Sequence, residues 1–175
     1  MFFPSERAQS VFSIDYQKLY DLGCRAILFD IDNTLVHHGK DSTPEIDELF
    51  RRIHGIGLKT MLVSNNGVER IERFLRNIDS PYIPNADKPS PDNYRRAMEL
   101  LEVSPEETIF IGDQLFTDIL GANRCGIRSI LVDFIRAPNE TKIGIRRHVE
   151  KVVLFICRLF RRPGTRIGDI WKEGF

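Results

Sequence analysis

Four short apolar runs, separated by helical signals, constrain the fold of this chain more than any other feature of its sequence. The runs span residues 25–30, 58–66, 108–114 and 128–133, and each has the length of a buried strand. Helical signals begin between them at Thr43 and Pro44, at Val68, at Ser90 and Pro91, and at about Thr117. Strands that alternate with such helices form right-handed βαβ units. The sequence therefore predicts an α/β fold: a three-layer, Rossmann-like parallel sheet with helices on both faces.

The composition is typical of one globular domain. The chain has 175 residues, of which 42% are apolar and 29% charged, and these values argue against disorder. We therefore expect a single domain over residues 1–175. The three cysteines are scattered, which predicts neither a disulfide framework nor a zinc site. The sequence shows no signal-peptide pattern and no run of about 18 apolar residues. We therefore expect a cytoplasmic protein.

Polar side chains stand where three of the predicted strands end. Asp30 and Asp32 end the first run, Ser64 lies at the end of the second, and Asp113 at the end of the third. Ligands of open α/β sheets bind outside the carboxyl ends of the strands, so we expect these side chains to converge. Buried carboxylates are costly, and two that lie close together repel each other. The pattern therefore predicts a divalent metal ion at this edge of the sheet.

The motifs at these strand ends resemble those of the haloacid dehalogenase (HAD) superfamily of phosphatases. "DIDNTL" (30–35) looks like the first motif, "VSNN" (63–66) the second, Lys88 in "NADKPSP" fits the third, and "IGDQLFTD" (111–118) fits the fourth. They occur in family order, and the resemblance covers roughly residues 20–135. The chain is most similar to the class III, subfamily A (IIIA) branch that includes phosphatidylglycerophosphate phosphatases.

This resemblance implies a phosphomonoesterase with an aspartyl-phosphate intermediate. Asp30 would be the nucleophile, and Asp32 would be the general acid and then the base for the attacking water. Neighbouring carboxylates would raise the pKa of Asp32, which suits an acid. Ser64 and the following amides, including that of Asn65, would bind phosphate oxygens. Lys88 would neutralise charge in the transition state.

The resemblance also implies Mg²⁺ as the cofactor. The ion would be bound by the Asp30 carboxylate, the backbone carbonyl of Asp32, and Asp113. Asp118 would hold a metal-bound water or orient Lys88. Asp118 could instead stabilise a helix dipole, and Lys88 could be a solvated loop lysine, but the set of four motifs favours an active site.

The spacing of the motifs leaves no room for a cap domain. Family members often carry a cap after the first motif or between the second and third. Here the predicted helices and strands fill the segments from Asp32 to Ser64 and from Ser64 to Lys88. A capless site is open, which by resemblance suits a large or surface-embedded substrate, unless oligomerisation closes it around a small one. Four nearby polar residues are interpreted as loop-shaping or surface residues: Asn33, Asn66, His37 and His38.

The C-terminal part has the pattern of a basic amphipathic helix. Residues 142–162 hold seven Lys or Arg against one Glu, with apolar residues at helical spacing. We predict a helix that packs its apolar stripe on the sheet, lies on anionic lipid, or does both. Contact with anionic lipid would place the protein at the inner face of a membrane as a peripheral protein.

Three functions stay open at this point. The first is dephosphorylation of phosphatidylglycerophosphate to phosphatidylglycerol at the membrane surface. The second is a soluble phosphatase of a sugar phosphate, nucleotide or phosphoprotein. The third is a non-catalytic HAD-like binding module, against which the intact acid pair and Lys88 argue. We expect no nucleic-acid partner, and the sequence leaves the oligomeric state open.

Overall fold

The structure, a computed structural model, describes residues 3–135, 167–168 and 170–171. The predicted basic helix over residues 142–162 lies outside the described residues. The extent of the domain over residues 1–175 therefore stays a prediction.

In the described part of the chain, one sheet contains six strands in the order β1-β6-β5-β2-β3-β4. The strands are β1 (Glu6–Ala8), β2 (Ala26–Phe29), β3 (Lys59–Val63), β4 (Tyr82–Ile83), β5 (Thr108–Gly112) and β6 (Arg128–Val132). Every neighbouring pair is parallel. The α/β fold with a parallel sheet is thus confirmed, and the two short strands β1 and β4 were not predicted.

Four of the helices in the described residues follow the sequence prediction, whereas the first one, before β2, was not predicted. The helices are α1 (Tyr16–Asp21), α2 (Pro44–Ile56), α3 (Val68–Phe74), α4 (Asp92–Leu101) and α5 (Leu120–Arg124), with short 3₁₀ turns at Val11–Ser13 and Leu75–Asn77 and a π-helical turn at Leu115–Ile119. Thr43 caps α2, since its hydroxyl accepts a hydrogen bond from the Ile46 N–H at 3.4 Å. Gly57, with φ +98°, ends the same helix in the left-handed conformation. None of the described helices is both long and apolar enough to span a bilayer.

The two faces of the sheet pack against different helices. On β2, Ile27 and Phe29 belong to the core that includes the buried faces of α2 and α3, and the Phe29 and Phe50 rings lie 5.3 Å apart. Ala26 and Leu28 belong to the opposite core with α4. Both faces of β2 are therefore buried, as a three-layer parallel fold requires.

No inserted domain interrupts the segments between the motifs. The structure describes every residue from Asp32 to Lys88, and these stretches contain only loops, α2 and β3, and then α3, a 3₁₀ turn and β4. Between the motifs, where every residue is described, the fold agrees with the capless prediction.

Candidate active site

Three adjacent strands bring the predicted site residues together. Asp30 follows β2, Ser64 follows β3 and Asp113 follows β5, and β2 lies between the other two strands. After β2, the chain adds β3 and β4 on one side and then crosses to β5 and β6 on the other side. The crevice at such a change of direction is where open α/β sheets bind their ligands.

Three buried carboxylates form the centre of this crevice. Asp30, Asp113 and Asp118 each offer an oxygen within 4.8 Å of the others, and they are only 6%, 3% and 1% exposed. The hydroxyl of Thr34 lies 3.4 Å from Asp30 Oδ2 and 3.3 Å from Asp113 Oδ1, so its single hydrogen can serve either oxygen. This much buried negative charge needs a compensating cation.

Lys88 supplies one such cation. Its Nζ lies 2.5 Å from Asp30 Oδ1 and 2.7 Å from Asp118 Oδ1. Burial lowers the pKa of Lys88, but the two carboxylates outweigh this effect and raise the pKa, so the side chain is an ammonium ion. Asn65 holds the lysine backbone, because its Oδ1 accepts from the Lys88 N–H at 2.8 Å.

For Asp30, the predicted nucleophile, burial is the main cause of a raised pKa. It raises the pKa of Asp30 to about 7; Lys88 opposes this effect, and Asp118 and Asp113 add to it. The Asp30 carboxyl group is therefore harder to ionise than an ordinary aspartate as long as no metal ion is bound.

Asp32 lies in a different environment from the three clustered acids. Burial raises its pKa, but hydrogen bonds from the Gly39 N–H, the Asn66 amide and the Arg70 guanidinium outweigh burial and lower the pKa. These donors lie 2.9, 2.7 and 2.9 Å from its carboxylate oxygens. The expected rise in the pKa of Asp32 is therefore wrong, and the raised pKa belongs to Asp30.

Asn66 links two of the predicted site residues. Its amide nitrogen lies 2.7 Å from Asp32 Oδ2 and 2.9 Å from Ser64 Oγ, so it can donate to both. Ser64 itself is buried, at 1% exposure. We interpreted Asn66 from the sequence as loop-shaping, whereas the structure places it between the hydroxyl and the acid. The Ser-Asn-Asn run was the only signal in the sequence for this bridge.

Asp118 has both carboxylate oxygens engaged. Oδ1 pairs with Lys88, and Oδ2 accepts from the Gln114 N–H at 3.0 Å at the start of the π-helical turn. Gly112 lets this side chain approach the strand, because a Cβ at that position would lie 2.5 Å from Asp118 Oδ2. Of the two expected roles for Asp118, orienting Lys88 is the one that this geometry favours.

The remaining candidates lie at the mouth of the site. His38 is exposed, and its Nδ1 is 3.5 Å from Asp32 Oδ2. His37 is half-buried. Asn33 adopts φ +64° and accepts a hydrogen bond from the His38 N–H, in keeping with a loop-shaping role. Arg70 was missed from the sequence because it lies within an ordinary amphipathic helix.

The clustered acids fit a hard divalent cation. Carboxylate oxygens are the ligands that Mg²⁺ prefers in proteins. Of the three carboxylates, Asp30 Oδ2 and Asp113 Oδ1 converge on the Thr34 hydroxyl, away from the Asp30 oxygen that Lys88 contacts. These two residues are thus the best placed to hold such an ion.

Comparison with known proteins agrees with this geometry. Residues 39–126 match the family of haloacid dehalogenase-like hydrolases. A protein of Bacillus subtilis named "Probable phosphatase YqeG" is 35% identical over 87% of this chain and 90% of its own length. The family match begins after Asp30 and Asp32 and includes β3, β4 and β5, whereas the match to the Bacillus protein extends over most of the chain.

Two solved structures share the fold. The cobalt-bound deoxy-D-mannose-octulosonate 8-phosphate phosphatase of Haemophilus influenzae has a TM-score of 0.52 and 15% identity, over 79% of this chain and 90% of its own. A HAD superfamily (subfamily III A) hydrolase of Legionella pneumophila has a TM-score of 0.52 and 13% identity, over 69% of this chain and 71% of its own. At such identities the likeness concerns the fold alone.

Proposed function

Because the chain belongs to the haloacid dehalogenase-like hydrolases and is a phosphatase of that family, we propose that it is a Mg²⁺-dependent phosphomonoesterase that acts through an aspartyl-phosphate on Asp30. The observation that carries this proposal is the convergence at the Asp30 carboxylate. Lys88 lies 2.5 Å from one of its oxygens, and the Thr34 hydroxyl links the other oxygen to Asp113. Phosphate-monoester hydrolysis is extremely slow without a catalyst, so a nucleophile, an acid and compensating cations are all needed.

In the first half-reaction, an Asp30 oxygen forms a bond to phosphorus as the bond between phosphorus and the alcohol oxygen breaks. The departing alkoxide takes a proton from Asp32. Asp32 is held ionised by its three donors, so it must take up this proton as substrate binds. The negative charge of an approaching phosphate group favours that uptake.

In the second half-reaction, water attacks the phosphorus of the aspartyl-phosphate. Asp32, now ionised again, takes the proton of that water. The bond between phosphorus and Asp30 breaks, which releases inorganic phosphate and restores the carboxylate. The two steps together consume one monoester and one water, and yield one alcohol and one phosphate.

The other site residues bind and neutralise. Ser64, together with the backbone amide of Asn65, would bind phosphate oxygens, and Lys88 would stabilise charge in the transition state, held in place by Asp118. Asp30, Asp113 and the Asp32 carbonyl would hold Mg²⁺. The ion would supply positive charge, which lets an anionic nucleophile approach an anionic phosphate.

For the substrate, we propose phosphatidylglycerophosphate, dephosphorylated to phosphatidylglycerol at a membrane surface. The support is the resemblance of the four motifs to the subfamily IIIA branch and the capless site. We further propose that residues 142–162 contact anionic lipid from the cytoplasmic side. A soluble sugar phosphate, nucleotide or phosphoprotein is the alternative substrate, and the geometry of the site suits it equally.

Trapping the intermediate tests the reaction. The full chain is incubated with Mg²⁺ and substrate and quenched in acid, and the peptide containing Asp30 is analysed by mass spectrometry. We expect a phosphoryl group on Asp30, and loss of turnover in Asp30→Asn with an unchanged circular dichroism spectrum. Normal turnover by Asp30→Asn would refute the nucleophile.

A substrate screen tests the assignment of the lipid. Phosphatidylglycerophosphate in vesicles is compared with sugar phosphates and nucleotides, and flotation with anionic vesicles at low salt reports membrane contact. A preference for a water-soluble ester, with no protein floating with the vesicles, would overturn the lipid proposal and leave the phosphatase chemistry intact.

A further inference from the structure

Arg70, in the first turn of α3, ties Asp32 to the loop of residues 37–41. Its Nη2 donates to Asp32 Oδ1 at 2.9 Å and to the Lys40 carbonyl at 2.6 Å. The Gly39 N–H of the same loop donates to the same Asp32 oxygen at 2.9 Å. The Arg70 and Asp32 side chains are only 13% and 12% exposed. One guanidinium nitrogen thus fixes both the carboxylate and the loop beside it.

Arg70 has no other hydrogen-bonding task in the described residues. Its Nε and Nη1 are buried and have no hydrogen-bond partner there. Its guanidinium carbon lies 5.9 Å from the centre of the Phe74 ring, which packs against it. Buried polar groups normally have hydrogen-bond partners. In the described residues only Nη2 of Arg70 has them, so its two hydrogen bonds are the ones that fix the position of the guanidinium.

We propose that Arg70 is a positioning residue for the hydrolysis, which keeps the Asp32 carboxyl group aimed at the oxygen of the leaving group. The proposal rests on the function proposed above, in which Asp32 donates a proton to that oxygen. Arg70 does not itself contact reacting atoms. Loss of this contact would make Asp32 easier to protonate, but a misplacement of about 1 Å at a reacting group can cost about 10²-fold in rate. The loss of position should therefore outweigh the easier protonation and slow the step that needs the proton.

Arg73 provides a matched comparison one turn further along α3. Its Nε lies 2.6 Å from Asp41 Oδ1 and its Nη2 lies 2.7 Å from the Gly39 carbonyl. It therefore holds the same loop as Arg70. No hydrogen bond in the described structure joins Arg73 to Asp32. Arg73→Ala should loosen the loop without releasing the carboxylate.

The test compares Arg70→Ala, Arg70→Lys and Arg73→Ala on two monoesters with Mg²⁺. The first ester is glycerol phosphate, whose alkoxide needs a proton to leave. The second is para-nitrophenyl phosphate, whose leaving group departs readily without one. The parameter kcat/KM is measured because it reports the first half-reaction, and circular dichroism checks the fold.

We expect Arg70→Ala to lower kcat/KM for glycerol phosphate by about 10²-fold and for para-nitrophenyl phosphate by less than about tenfold. Arg70→Lys should recover part of the loss, since an ammonium can reach one of the two acceptors. Arg73→Ala should stay within about threefold of the wild type on both esters. This dependence on the leaving group is the signature that a merely structural role would not produce.

Two results would overturn the proposal. One is an equal loss for the two esters in Arg70→Ala, and the other is the same loss in Arg73→Ala as in Arg70→Ala. If Arg70→Ala does not fold, the leaving-group comparison is made on Arg70→Lys, where an equal loss on both esters has the same meaning. Full activity of Asp30→Asn, or no hydrolysis by the wild type, would instead refute the proposed function, and this inference with it.

Discussion

Lys88 and Asp118 form a buried ion pair in which Nζ lies 2.7 Å from Oδ1 and the side chains are 3% and 1% exposed. Asp30 shares the same ammonium group at 2.5 Å. The pair joins the loop after β4 to the π-helical turn after β5, on opposite sides of β2. Its removal should therefore affect both stability and catalysis.

Asp118→Ala should lower the free energy of unfolding by about 3 kcal/mol, because it leaves a buried charge with one partner fewer. Urea unfolding followed by circular dichroism measures the change. Asp92→Ala is the control, since its pair with Arg95 is exposed at the surface and is worth at most about 1 kcal/mol. Equal losses in the two variants would contradict the importance of the buried pair.

Gly112→Ala should disturb the site without changing any charge. The added Cβ would lie 2.5 Å from Asp118 Oδ2, so Asp118 must move, and Lys88 with it. We expect a loss of about 1–3 kcal/mol in unfolding free energy and at least about tenfold in kcat. Gly55→Ala is the control: nothing lies within 4 Å of its added Cβ in α2, and the change should stabilise by about 0.5–1 kcal/mol. Similar behaviour of the two variants would count against the close approach at Gly112.

Mg²⁺ binding should tighten as the pH rises towards about 7. Burial raises the pKa of Asp30 to about 7, so below that pH a proton competes with the ion for this carboxylate. Each pH unit below about 7 should weaken binding by up to about tenfold, as measured by isothermal titration calorimetry. Asp113→Asn should bind weakly at every pH, and the exposed Asp133→Asn should behave as the wild type. An affinity independent of pH would show that Asp30 is not a ligand.

The raised pKa of Asp30 should also make the unfolding free energy of the metal-free protein depend on pH. The folded state binds the Asp30 proton more strongly than the unfolded state does, because its pKa is raised on folding. This contribution to unfolding free energy is present at acidic pH and is lost as the pH rises through about 7. Subtracting the pH profile of Asp30→Asn from that of the wild type isolates it. A difference that grows with pH would have the wrong sign.

Removal of the metal should abolish hydrolysis, and return of the metal should restore it. With EDTA in excess, we expect hydrolysis of para-nitrophenyl phosphate to fall to background, and added Mg²⁺ to restore it, because the charge on the phosphate and on Asp30 is then compensated again. Unchanged secondary structure by circular dichroism controls for unfolding. Full activity in EDTA would contradict the metal role.

The site residues that could be predicted from sequence are those fixed by strand ends. Asp30, Ser64 and Asp113 follow apolar runs, and the parallel order of β3, β2 and β5 brings them together. The strands that escaped prediction are β1 and β4, with three and two residues, which are too short to show an apolar period. Both lie at the edges of the sheet, where burial is weakest.

The environment of Asp32 could not be predicted in the same way. Its partner Arg70 lies 38 residues away in sequence, on a helix whose apolar spacing explains its fold without any reference to the site. Burial raises the pKa of Asp32, but the hydrogen bonds from Gly39, Asn66 and this guanidinium outweigh burial and lower the pKa. The local sequence pattern thus predicts the position of Asp32, whereas contacts with distant residues determine its pKa.

Only the short strand β1 covers the outer edge of β6 in the described residues. β1 contains three residues, and their pairing with residues 130–132 covers the outer backbone groups of β6. A chain shortened to begin after Ala8 would leave those amides and carbonyls bare. Bare strand edges act as templates for a strand from another molecule. The three residues of β1 therefore protect this edge of the sheet from pairing with another molecule.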